Sequence, residues 1–118
     1  MARILIVEDD ANLRTLMTMR LKGKYDIVAE CGGKSALARY EEGGIDLIVT
    51  DLMMPGMDGY ALVETIRSMG HSTPVIILTA KDTIVDKGKG FAVGTDDYMT
   101  KPVNFEELCW RIDRKSVV

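Results

Sequence analysis

The sequence predicts an α/β domain, a five-stranded parallel sheet with helices on both faces. Short runs of continuous apolar, often β-branched residues read as strands buried on both sides, the habit of parallel sheets. Stripes of apolar residues at helical spacing lie between them. The connections are short, so strand and helix alternate in pairs, the pattern that doubly wound sheets with right-handed crossovers produce.

The strands in order are Ile4-Leu5-Ile6-Val7, Ile27-Val28-Ala29, Leu47-Ile48-Val49, Val75-Ile76-Ile77-Leu78 and a weaker Tyr98-Met99 after Asp96-Asp97. Leu13, Leu16, Met17 and Leu21 make the first helical stripe, stopped by Gly23. Ala36, Leu37 and Tyr40 make the second, stopped by Gly43-Gly44. The third runs from Asp58, a good N-cap, through Leu62, Val63, Ile66 and Met69 to Gly70. Ile84 to Val93 is expected to be a helix too, although Gly88 and Gly90 each cost it about 1 kcal/mol relative to Ala. The last helix opens at Asn104, with Glu107 three residues on as in a capping box, and buries Leu108 and Ile112.

Composition narrows the function. At 118 residues the chain is one domain, and 47% apolar content excludes a disordered tail. Fifteen Lys+Arg against 18 Asp+Glu leave a net charge of −3, which argues against a nucleic-acid surface on this segment. No apolar run is long enough to span a bilayer, and no signal peptide opens the chain; a cytoplasmic protein without membrane contact is expected. Cys31 and Cys109 form no disulfide framework, and no Cys/His cluster has zinc spacing. Gly33-Lys34-Ser35 ends like a P-loop but lacks its first glycine, and Gly88-Lys89-Gly90 lacks the third glycine of a dinucleotide fingerprint.

In such sheets ligand chemistry collects at the carboxyl ends of the strands. There the sequence places Glu8-Asp9-Asp10, Asp51, Thr79-Ala80 and Lys101-Pro102. Carboxylates clustered at an open edge need a cation, and oxygen ligands suit a hard ion such as Mg²⁺. Asp51 is then placed to attack phosphorus, with Lys101 and Thr79 as donors to phosphate oxygens. Positioning and electrostatics would carry most of such a phosphoryl transfer. Asp10 reads as a helix cap, and His71 as an exposed turn residue. Met53, Met54 and Met57 read as loop packing, since their neighbours are hard oxygen donors.

Val7-Glu8-Asp9-Asp10, the run Asp51-Leu52-Met53-Met54-Pro55-Gly56-Met57-Asp58-Gly59, Thr79-Ala80 and Gly94 through Pro102 occur in order. The spacings are 28 residues from Asp51 to Thr79 and 22 from Thr79 to Lys101. With these motifs the sequence resembles, over essentially its whole length, the receiver domain of bacterial two-component response regulators. The resemblance implies a flavodoxin-like (βα)5 fold with strand order 2-1-3-4-5 and a single receiver over residues 1–118. It implies that Asp51 takes a phosphoryl group from a sensor histidine kinase. Asp9, Asp51 and the Met53 carbonyl would ligate Mg²⁺, or Mn²⁺ in its place, with Glu8 acting through water. Thr79 would turn inward to the phosphoryl group, Tyr98 would follow from an outward to an inward position, and Lys101 would pair with the phosphate beside a cis Lys101–Pro102 peptide. Ala80, being small, leaves the approach to Asp51 open.

Within that family the chain is most like the OmpR/PhoB winged-helix type. Lys87 and Asp97 match positions that pair across a two-fold dimer with those of Glu107 and Arg111, and Phe91 with Cys109 would supply an apolar centre. Such regulators act on DNA through a further domain, which residues 1–118 do not include, so either a receiver cut from a longer regulator or a single-domain receiver is expected. The receiver is not expected to be an enzyme beyond catalysing its own phosphorylation and dephosphorylation. Two other readings use the same fold: an aspartyl-phosphate phosphatase with multiple turnover, and a docking module that never takes phosphate.

Overall fold

A computed structural model describes residues 1–80 and 97–115. The elements are β1 (Arg3–Val7), α1 (Ala11–Leu21), β2 (Asp26–Glu30), α2 (Gly33–Glu41), β3 (Leu47–Asp51), α3 (Gly59–Ser68), β4 (Val75–Thr79), β5 (Asp97–Thr100) and α4 (Phe105–Lys115). The helix expected over residues 84–93 lies outside the described residues.

The five strands form one parallel sheet in the order β2-β1-β3-β4-β5, as the resemblance implies. Alternation along each strand sends successive side chains to opposite faces. Leu5, Val7, Ile48, Val75 and Ile77 face one layer with Ala36 and Tyr40 of α2 and Leu62, Val63 and Ile66 of α3. Ile4, Ile6, Leu47, Val49, Ile76 and Leu78 face the other, with Met17 and Leu21 of α1 and Leu108 and Ile112 of α4. The three central strands are therefore buried on both sides, which is why they read as unbroken apolar runs. Each fully buried Leu or Ile contributes about 2 kcal/mol over its exposed form.

Three details differ from the sequence expectation. β2 is an edge strand, and only Val28 of its apolar run is buried. One flank of an edge strand lacks a neighbour, so apolarity there does not guarantee burial on both faces. Leu16 is 44% exposed, leaving Met17 and Leu21 as the buried residues of α1. Met69 is also exposed and caps α3 rather than packing within it.

The caps act as predicted. The Asp10 carboxylate accepts from Asn12 N at 2.9 Å and Leu13 N at 3.3 Å, satisfying two donors that an α-helix leaves open at its start. Asp58 accepts from Ala61 N at 2.8 Å and Asn104 from Glu107 N at 3.0 Å. These caps fix where α1, α3 and α4 begin. Two of them thereby fix the loops that follow β1 and β3.

Candidate functional site

Asp51 and Thr79 are the last residues of β3 and β4, and both are buried. Glu8 follows β1 directly. Its main-chain N–H donates to Glu30 O at 3.1 Å, and its side chain is turned inward, 1% exposed. Lys101 follows β5, where its N–H donates to Thr79 O at 2.8 Å and its peptide to Pro102 is cis. Parallel strands end at one edge, so four segments far apart in sequence deliver these groups to one place.

The Lys101 ammonium lies between two carboxylates, 3.1 Å from Glu8 Oε1 and 3.2 Å from Asp51 Oδ1. The other Glu8 oxygen accepts from Asp10 N at 3.1 Å. Burial, then repulsion from Asp51, pushes the Glu8 carboxyl up to about 7, against the opposing pull of the Asp10 N–H and Lys101. Burial alone would lower Lys101, but its contacts with Glu8 and Asp51 outweigh that and hold it above its ordinary value.

A carboxyl raised in the folded state makes stability fall as pH rises. Between the unfolded value of 4.5 and the folded value of about 7, the folded protein holds a proton that the unfolded chain has released. The loss is complete above the upper value. Glu8→Gln removes this titration at the cost of one acceptor. In metal-free urea denaturation at pH 8 the variant is expected to be more stable by about 2 kcal/mol, a value below the full shift because that acceptor is lost. The advantage should fade as the pH falls toward 4.5. An advantage unchanged by pH would contradict the burial of an ionised Glu8.

Glu8, Asp9 and Asp51 each offer a carboxylate oxygen, all within 4.8 Å of one another. Such hard donors, one exposed and two buried, fit a small divalent cation. Asp10 is not part of this set, being occupied as the cap of α1.

The loop after β3 leaves the site quickly. Gly56 takes a left-handed φ of +78°, a conformation that favours glycine. Gly59 opens α3 against the end of β3: its N–H donates to Leu52 O at 2.9 Å, and a Cβ there would stand 2.8 Å from Asp51 O. The methionines do not converge. Met53 is 66% exposed, whereas Met54 is buried and Met57 packs against the α2–α3 core layer.

Tyr98 is buried in that same layer, the inward of the two positions expected for it. Asp97, Glu107 and Arg111 do come together, but within one chain. Arg111 pairs with Asp97 through Nη1, and with Glu107 through Nε at 2.9 Å. Cys109 does not join them. Two residues along a helix is a turn of about 200°, so it lies on the opposite flank of α4, where it lines a groove with Arg20, Lys24 and Phe105. Lys87 and Phe91 lie outside the described residues. His71 is an exposed turn residue, its ring edge-on to Tyr40 at 5.5 Å.

One residue that the sequence did not single out touches the main chain beside this site. Arg14 Nη1 donates to the Glu8 carbonyl at 2.8 Å and lies 3.5 Å from that of Asp9. The available signal was a lone cation four residues after Asp10, one turn into a helix that starts beside three acids.

Residues 4–113 match the family model described as the response regulator receiver domain. The chain is 43% identical over 112 residues to the transcriptional regulatory protein CiaR of Streptococcus pneumoniae, covering 95% of this chain and 50% of that protein. It is 41% identical over 113 residues to the transcriptional regulatory protein PcoR of Escherichia coli, with the same coverages. The chain thus spans about half the length of the curated relatives it matches. Among solved structures, the receiver domain of the Francisella response regulator 1452 superposes with a TM-score of 0.90 at 34% identity, over 97% of this chain and 95% of that one. The Vibrio cholerae chemotaxis protein CheY4 gives 0.91 at 30% identity, over 98% of each chain.

Proposed function

The chain belongs to the response regulator receiver domain family, and on that premise we propose that Asp51 is its phosphoacceptor, charged by a sensor histidine kinase. The observation that carries this reading is the Lys101 ammonium held at 3.1 and 3.2 Å between Glu8 and Asp51 at the ends of the strands. A carboxylate oxygen of Asp51 attacks phosphorus, the bond from phosphorus to the donor's imidazole nitrogen breaks, and an acyl phosphate is left on the protein.

Glu8, Asp9, Asp51 and the Met53 carbonyl would hold Mg²⁺, with Mn²⁺ as a substitute. When bound, the ion neutralises charge on the transferring group. Lys101 already touches Asp51, so it needs only to release Glu8 to follow charge onto the phosphoryl oxygens. Thr79, buried at the end of β4, supplies a hydroxyl for another oxygen. Tyr98, already inward here, would be held there once Thr79 engages the phosphoryl group, and so bias the face that carries Asp97, Glu107 and Arg111. The phosphoryl group shifts this equilibrium only through its different contacts in the two states.

The OmpR/PhoB type is the subtype that fits best. In that reading phosphorylation favours a two-fold dimer, in which Arg111 leaves its in-chain partners for Asp97 of a second copy. Transcriptional control exerted on DNA through a further domain of a cytoplasmic regulator completes the proposal; CiaR and PcoR are named transcriptional regulatory proteins, which supports its transcriptional part.

Intact mass after incubation with acetyl phosphate and Mg²⁺ tests the reading. One phosphoryl adduct, absent without the metal, is the expected result. Sustained release of phosphate without an adduct would favour a phosphatase. Neither adduct nor turnover, with no metal-dependent trapping by beryllofluoride, would favour a docking module.

A further inference from the structure

We propose that Arg14 is a positioning residue for the metal-binding acids, acting through the main chain of the loop between β1 and α1. The proposal rests on the reading that Glu8, Asp9 and Asp51 hold a divalent cation. It adds a residue outside that set.

Helical side chains lean toward the helix N-terminus, so a long side chain one turn into α1 reaches back over the loop before it. Arg14 does so, donating to Glu8 O at 2.8 Å, with Asp9 O at 3.5 Å from the same nitrogen. Its own main-chain N–H donates to Asp10 O at 2.9 Å, and its carbonyl accepts from the Thr18 hydroxyl at 2.9 Å, so the base of the strap is anchored in the helix. A cation in the first turn works against the helix dipole, which favours acids there. Its favourable contacts are the two loop carbonyls.

The acids depend on that loop to different degrees. Glu8 is fixed by burial, by Lys101 and by the Asp10 N–H. Asp9 is exposed and unpacked, so its main chain alone fixes where its Cβ stands and which rotamers bring its carboxylate to the other two acids. Holding the peptide between residues 8 and 9 therefore keeps Asp9 within reach of Glu8 and Asp51, whose ligand oxygens lie with its own within 4.8 Å of one another. Two influences of Arg14 on metal affinity oppose each other. As a positive charge it repels a cation, whereas as a strap it preorganises the ligands. The geometry points to the strap as the larger.

Mn²⁺ serves as the probe, with its binding to the whole chain followed by electron paramagnetic resonance of the free ion. Arg14→Met is expected to weaken Mn²⁺ binding about five- to tenfold, the low end of what losing a ligand-supporting contact costs. Arg14→Lys keeps a donor to the Glu8 carbonyl and should recover binding to about twofold of the parent. The rate of acetyl-phosphate labelling at saturating Mg²⁺ should stay close to the parent's, with only the half-saturating Mg²⁺ concentration raised. General damage to the fold would instead lower the metal-free melting temperature and the saturating rate. Unchanged or tighter Mn²⁺ binding by Arg14→Met, or no recovery by Arg14→Lys, would overturn the inference while leaving the phosphoacceptor reading intact. No Mn²⁺ binding by the parent chain would overturn the metal reading and this inference together.

Discussion

Asp51→Asn protein incubated with acetyl phosphate and Mg²⁺ is expected to show no phosphoryl adduct by intact mass, and its metal-free form to be more stable than the parent at pH 8. The first effect is a complete loss. An amide oxygen in place of the carboxylate cannot displace acetate from phosphorus to leave a stable acyl phosphate. The second effect has the opposite sign because Asp51 repels the buried Glu8, one of the causes that raise the Glu8 carboxyl to about 7. The amide still offers Lys101 an acceptor at the Asp51 position, where Nζ now lies 3.2 Å away. Lost labelling with gained stability separates a chemical role for Asp51 from a structural one. Labelling that persisted in this variant would place the phosphoacceptor elsewhere. Reduced stability would mean that the carboxylate holds the strand end in place.

Gly59→Ala is expected to cost about 2–3 kcal/mol and to slow labelling, although Gly59 carries no reactive group. A Cβ there would stand 2.8 Å from Asp51 O and 3.1 Å from Leu52 Cα. Both are main-chain atoms of the strand end that carries Asp51, so no side chain can swing aside to make room. The start of α3 and the end of β3 must part, and Asp51 moves with them. Urea midpoints at unchanged m-value measure the loss. Gly32→Ala is the matched control: it caps α2 in extended backbone with nothing within 4 Å of the added carbon, and should cost under about 1 kcal/mol. Equal losses in the two variants would rule out close approach as the reason for glycine at position 59.

Most of this architecture was legible in the sequence because a parallel sheet writes its burial directly into composition. The central strands, enclosed on both faces, are unbroken apolar runs, and the caps Asp10, Asp58 and Asn104 announce three helices. Strand edges are less legible. Ile27-Val28-Ala29 reads like a central strand, yet only Val28 is buried, since local composition does not record which strands lie beside it. Helix faces are ambiguous at their margins for a similar reason, as Leu16 and Met69 show. For the site, spacing brought Glu8, Asp51, Thr79 and Lys101 to one edge of the sheet, and their geometry agrees. The pairing of Lys101 with both acids was not readable, because it depends on side-chain direction. Nor was the role of Arg14 readable: its acceptors are carbonyls, which every residue has and no sequence motif marks.

The marginal burial of β2 has a consequence beyond packing. An edge strand offers unpaired main-chain donors and acceptors to any other extended chain, and a flat apolar edge invites strand addition and fibre growth. β2 is five residues long, begins at the exposed Asp26 and ends at Glu30, with its apolar residues confined between the two acids. Another strand laid along it would have to desolvate like charges at both ends. The departure from an all-apolar strand thus guards the sheet against growing a sixth member and against self-association at that edge.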